Sequence, residues 1–383
     1  MATDRAWAAT RKGLFELRRR AGSWHIENLS FVADPVTMLL PPDASGHMLA
    51  GLNLGHFGAK LQASDDAGRT WREVASPRFP PQPEGAEGPA WKLEQVFALE
   101  RSGDAIWCGS IPGGLFVSRD RGESWKLDET LWRDPRREQW MGGGNPAPAL
   151  HSICPHPLHA EELLVGVSCG GAWRTTDGGD SWGLRAKGMR ADFMPPELAG
   201  DENSQDPHLI ARCRDVPDVL WCQHHCGIFR SSDNGATWVE VGVPPRDATA
   251  SLPPEGAQPA RERPVAGLAP PSSFGFAVAA HPADPQTAWF APAIKDERRI
   301  PVDAALCVTR TRDGGQTFEA LRTGLPQQHC YDLIYRHGLA VDDSGEQLVM
   351  GSTTGGLWAS GDAGDSWQTI SAHLPPIYAV KFG

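Results

Sequence analysis

The chain has 383 residues, 40% of them hydrophobic and 22% charged, so it can bury a sizeable core without disulfides. Its 36 Lys and Arg against 47 Asp and Glu leave a net charge of −11, which argues against a nucleic-acid backbone as partner. No run approaches the roughly 20 apolar residues of a membrane-spanning helix, and the opening MATDRAWAAT lacks the basic start and apolar stretch of a secretion signal. No membrane partner is therefore expected, the expected location is cytoplasmic, and the eight cysteines are expected as reduced thiols.

Three short runs near the start, AWAAT, GLFELRR and SWHIE, read as strands. An eight-residue pattern, Ser/Thr-x-Asp-x-Gly-x-Ser/Thr-aromatic, then recurs six times, from Ser64, Ser118, Thr175, Ser231, Thr311 and Ser360. Its aspartates, Asp66, Asp120, Asp177, Asp233, Asp313 and Asp362, lie 54, 57, 56, 80 and 49 residues apart, so each interval holds one unit. The Asp side chain can accept bonds from the backbone of its own turn and Gly supplies a positive φ, which makes the pattern a tight turn between antiparallel strands. A strand such as GGLFVS, GGAWRT, CGIFRS or GGLWAS precedes the turn, and one such as AIWCGS, LLVGVS, VLWCQ or QLVMGS precedes that. The aromatic begins a further strand. Inner strands are expected at LEQVFAL, ALHSICPH, HLIARC, FGFAVAAHP and YDLIYRHGLAV, which completes four strands per unit, the blade of a β-propeller.

The final IYAVKFG supplies the inner strand that the first three strands need, so the two ends share a seventh blade and close the ring without a free sheet edge. The expectation is an all-β, seven-bladed β-propeller of four-stranded antiparallel blades, with six blades as the alternative. Residues 1–383 are expected to form one domain, with a Pro-rich insertion at about 244–271 that reads as a surface excursion or a lid.

The six turns resemble those of the BNR/Asp-box proteins, the sialidase-like propeller superfamily, over nearly the whole chain. The segments GHFG, HCGIFRS, FGF and QQHCY are most similar to those of bacterial cytosolic proteins labelled glycosyl hydrolase or sialidase-like. The resemblance implies the fold and leaves activity open, because the superfamily spans sialidases, xyloglucan hydrolases, sortilin-type receptors and photosystem II assembly factors. Arg299, Ile300 and Pro301 look like the Arg-Ile-Pro signature of sialidases, but they follow four of the turns instead of preceding the first. Arg299 is accordingly given no catalytic role, and true sialidase activity is not expected.

In such blades the starts of the inner strands and the loops between the two middle strands emerge on one rim, and the repeated turns on the other. The six turn aspartates are therefore expected to be structural. His151, His208 and His329 open or precede inner strands, in ALHSI, QDPHLI and QQHCY, and are expected at the channel mouth as catalytic groups and as ligands of one divalent transition metal, zinc- or iron-like. The alternative for each is a backbone hydrogen bond at a strand end. Asp206, two residues before His208 and so on the same face of a strand, and Glu94 are the carboxylates assigned with them. His56 in NLGHFG, His224 and His225 in CQHHCG, Arg11, Arg298 and Tyr331 are assigned to substrate binding, the arginines because a guanidinium clamps a carboxylate or phosphate through paired hydrogen bonds. Trp91, Trp132 and Trp140 are candidates for stacking on a sugar ring or for packing. The leading expectation is a hydrolase or lyase acting on a small polar, glycoside-type molecule, with metal assistance as an option. The competing one is a non-catalytic propeller that holds a protein partner.

Overall fold

Each repeated turn joins the third and outermost strands of a four-stranded antiparallel sheet, and seven such sheets stand round a ring. The computed structural model describes residues 3–85, 88–242 and 272–383; the Pro-rich stretch expected at about 244–271 lies outside them. The third sheet shows the plan: Leu150–His156, His159–Val167, Gly171–Thr175 and Gly183–Leu184 follow one another outward, each paired to the last. The innermost strands, Val36–Leu40, Gln95–Ser102, Leu150–His156, Pro207–Arg212, Gly275–Ala280, Leu339–Val341 and Ile377–Phe382, touch their neighbours in turn around a central channel. The closing sheet is composite: Ile377–Phe382 pairs with Arg5–Thr10, which continues to Gly13–Arg20 and Ser23–Ser30.

Because sheet packs on sheet, both faces of the inner and middle strands are buried, and the strands read as near-continuous apolar runs. Trp7, Trp107, Trp173, Trp221 and Trp289 are at most 2% exposed. Each such indole buries about 200 Å², which at about 25 cal/mol per Å² contributes about 5 kcal/mol before conformational entropy is set against it. One close approach demands glycine: a Cβ on Gly109 would lie 2.4 Å from the carbonyl oxygen of Leu150 in the next sheet.

The six repeated turns share one hydrogen-bond pattern. The hydroxyl of the first residue donates to the Asp Oδ1 at 2.7–2.9 Å and accepts the glycine N–H at 2.8–3.0 Å. The carboxylate also accepts the backbone N–H and the hydroxyl of the seventh residue, at 2.8–2.9 Å and 2.5–2.6 Å. The glycines have φ between +80° and +99°, the region that side chains resist. The Ser181 hydroxyl, foremost among these bonds, holds the Asp177 carboxyl down at about 2.

These turns sit at the rim away from the inner-strand starts. In five of the six, the residue after the Asp donates its N–H to the hairpin joining the first two strands of the same sheet, at 2.7–3.0 Å: Ala67 to Gly46, Gly178 to Glu161, Asn234 to Asp218, Gly314 to Gln286 and Ala363 to Glu346. The turn tryptophans reach back to the preceding sheet, Trp71 to Ser30 Oγ at 3.2 Å, Trp182 to Asp128 Oδ2 at 3.2 Å and Trp238 to the Arg185 carbonyl at 2.8 Å. Burial pushes the Asp128 carboxyl up to about 6. The eight cysteines are free thiols, and no helix among the described residues is long and apolar enough to cross a membrane.

Candidate functional site at the channel mouth

Asp206 lies just before the inner strand Pro207–Arg212, His208 lies within that strand, and His225 lies in the turn after the paired strand Leu220–His224. The spacing of two puts Asp206 and His208 on one face, and the tight turn folds His225 back over them. Asp206 Oδ2 lies 3.4 Å from His208 Nε2 and 3.4 Å from His225 Nδ1, while its Oδ1 accepts the Cys169 N–H at 3.1 Å. His224 is fully buried and its Nε2 accepts the Asp206 N–H at 3.0 Å, which fixes the backbone beneath the carboxylate. A Cβ on Gly143 would fall 3.4 Å from Asp206 Oδ2 and 3.1 Å from Cys169 Sγ, so the loop carrying Gly143 roofs the carboxylate closely.

His208 Nδ1 lies 2.6 Å from the Gly275 carbonyl oxygen, which can only accept, so this nitrogen carries a proton. The ring stacks on Phe276, with centroids 4.4 Å apart and planes 13° from parallel, and Phe274 meets His208 and His225 edge-on. Burial alone would raise the Asp206 carboxyl, but its contacts with His208 and His225 outweigh that and hold it well below the usual carboxylate range. Burial lowers His208, and it lowers His224 to about 3.

Two guanidinium groups stand over the same aromatic. Arg336 Cζ is 5.6 Å from the Phe276 centroid and 5.9 Å from that of Phe97, and Arg299 Cζ is 5.4 Å from Phe276. Arg299 also donates to Tyr335 Oη at 3.3 Å and pairs with Asp296 at 2.5 Å. The inner strands below line a cavity of about 560 Å³, with His151 and His337 in its wall. His151 Nδ1 meets Ser152 Oγ at 2.9 Å, and the Nε2 atoms of His151 and His337 are buried without a hydrogen-bond partner among the described residues. Burial pushes His151 well below its usual value and His337 to about 3.

The assigned residues thus divide. Asp206, His208, His224 and His225 come together, and His151 lines the channel wall. His329 does not join them: it is exposed with φ +53°, in the loop upstream of Leu339–Val341, because that inner strand is far shorter than the apolar run YDLIYRHGLAV suggests. Tyr331, in the same loop, is 56% exposed. Glu94, His56, Arg11 and Arg298 are exposed on the mouth side of the ring, His56 against Phe57 and Arg11 in the turn between Arg5–Thr10 and Gly13–Arg20. Trp132 and Trp140 are packed at 5% and 6% exposure, and Trp91 meets Trp132 edge-on, so packing accounts for all three. The sequence reading does not single out Arg336, Phe274, Phe276 or Cys169. The signals that could have found them are the FGF run at the head of an inner strand and Arg336–His337 just before another.

No family model matches the chain. Over 74 residues, 19% of the chain, it is 36% identical to an oligoxyloglucan-reducing end-specific xyloglucanase of Emericella nidulans, and that stretch is 8% of the enzyme. Among solved structures it is similar to an ancestral GH74 enzyme, with TM-score 0.57 and 13% identity over 97% of this chain and 40% of the other. It is also similar to YCF48 bound to D1 peptide, with TM-score 0.51 and 15% identity over 87% of this chain and 80% of the other. YCF48 from Cyanidioschyzon merolae gives TM-score 0.51 and 13% identity over 89% and 87%. At these identities the likeness is one of fold, and the chain spans well under half the length of the GH74 enzyme.

Proposed function

We propose that the protein is a hydrolase or lyase that cleaves a small polar, glycoside-type molecule carrying an anionic group, bound at the channel mouth. The observation that carries this reading is the buried, ionised Asp206 carboxylate set against His208 and His225, with Arg336 and Arg299 ranged over Phe276 beside it. An ionised carboxylate that is shut from water serves as a base or as the counter-charge to an imidazole, not as an acid. His225, with its side chain 22% exposed, is the imidazole through which a bound molecule exchanges a proton, and the arginines hold that molecule's negative end. The similarity to a GH74 enzyme and, over a short stretch, to a xyloglucanase supports a glycoside as the substrate class.

The test is a panel of neutral aryl glycosides and aryl glycuronides, assayed with the wild type, Asp206→Asn and Arg336→Met. The expected result is turnover of an anionic member, lowered about 100-fold or more by Asp206→Asn, with a raised KM in Arg336→Met. A wild type inert toward the whole panel, or an Asp206→Asn variant as active as the wild type, overturns the reading. A second reading, a propeller that holds a peptide, is favoured by Phe57, Met141, Phe193 and Tyr331, exposed on the mouth side at 70%, 47%, 44% and 56%. Peptide binding that Phe57→Ser and Phe193→Ser abolish, in a protein without turnover, decides for it.

A further inference from the structure

The proton on His208 Nδ1, fixed by the Gly275 carbonyl at 2.6 Å, has a consequence at the other ring nitrogen. It turns Nε2 toward Asp206 Oδ2, 3.4 Å away, and both groups are buried. His225 brings a third donor to the same carboxylate oxygen at 3.4 Å, and one donor atom from each of the three residues lies within 4.8 Å of the other two. Two imidazole nitrogens and a carboxylate oxygen brought this close can share one cation.

We propose that Asp206, His208 and His225 together hold one divalent transition-metal ion, zinc or ferrous iron by class. Two imidazoles and one carboxylate are a donor set that both ions accept, and it leaves coordination positions open for water or a ligand. The supports of the donors are those of a metal site: the Gly275 carbonyl sets the His208 tautomer, the Cys169 N–H holds the second carboxylate oxygen, and Phe274 and Phe276 wall the rings. Arg336 and Arg299 stand over Phe276 as the neighbouring cations, and a negatively charged ligand of the metal would be countered by them. Of the three metal ligands expected from the sequence, His151, His208 and His329, this set keeps only His208; it adds His225 and Asp206, the latter expected as a catalytic carboxylate.

The inference rests on the catalytic reading of this mouth and gives His225 a ligand's role there in place of proton exchange, but its test reads bound metal and not turnover. Metal-stripped full-length protein is titrated calorimetrically with Zn²⁺, and anaerobically with Fe²⁺. One equivalent is expected to bind, about 100-fold or more weakly in His208→Gln and about 10-fold or more weakly in His225→Ala, whose partly exposed ring can be lost without a core cavity. His329→Ala is expected to bind as the wild type does. Absence of wild-type binding of either ion, or binding indifferent to both substitutions, overturns the proposal. An inert glycoside panel would leave it standing, and a wild type that binds no metal would leave the glycoside reading standing.

Discussion

Replacing Asp128 by Asn probes how one sheet is tied to the next. Asp128 Oδ1 accepts the Leu131 N–H at 2.9 Å and its Oδ2 accepts the Trp182 indole N–H at 3.2 Å, at 9% exposure. Burial moves this carboxyl from its ordinary 3.8 to about 6, and two units correspond to about 3 kcal/mol. The folded state therefore holds the proton more tightly than the unfolded chain does. Its contribution is fullest below about pH 4, is lost as the pH rises from about 4 to 6, and stays lost above. Asparagine does not titrate, so the stability of Asp128→Asn minus that of the wild type is expected to fall by about 3 kcal/mol from pH 7 to pH 4. A constant offset of about 1–2 kcal/mol enters at every pH, because the amide can serve only one of the two donors with an oxygen. Urea unfolding of both proteins at pH 4, 5, 6 and 7 measures the difference. Curves that run parallel within about 0.5 kcal/mol, or a wild type that weakens relative to the variant on acidification, refute the reasoning.

At the repeated turns the sign reverses. Asp177→Ala removes an exposed carboxylate that takes part in three bonds, with Thr175 and with the Ser181 N–H and hydroxyl, and with solvent screening the loss is expected to be about 1 kcal/mol at pH 7. Because the folded carboxyl is depressed to about 2, that contribution is present above about pH 4 and fades as the pH falls through 2, so a penalty in urea unfolding that persists unchanged at pH 2 contradicts it. Gly109→Ala drives a Cβ to 2.4 Å from the Leu150 carbonyl oxygen and is expected to cost about 2 kcal/mol or more, seen as a lower melting temperature; an unshifted melt rules out the close approach.

The blades were legible because their signature is local. The hydroxyl and carboxylate bonds that shape a repeated turn join residues at most four apart, so eight letters state its internal geometry. The inner strands were harder, since an apolar run records burial and not pairing. Cys330, Leu333 and Ile334 are buried, yet they pack against the fifth and sixth sheets from irregular backbone, and the ladder begins only at Leu339. That misreading set His329 among converging histidines and hid Arg336. The grouping of Asp206, His208 and His225 was within reach, because one sheet supplies all three. Phe276, Arg299, Arg336 and Cys169 come from three other sheets and their loops, and nothing in the local sequence couples residues that only the ring brings together.

The composite sheet also orders the assembly of the molecule. Six sheets each come from one continuous stretch and can form as soon as that stretch is made, but Arg5–Thr10 finds its inner partner only in Ile377–Phe382. Until those last residues arrive, the earliest strands present an unpaired edge able to recruit a strand from another chain. Closing a span of that length carries the largest loop entropy in the fold, although the penalty grows only logarithmically with length. Productive folding is therefore a race between closure of the circle and edge-to-edge association, and it is run after the rest of the architecture is in place.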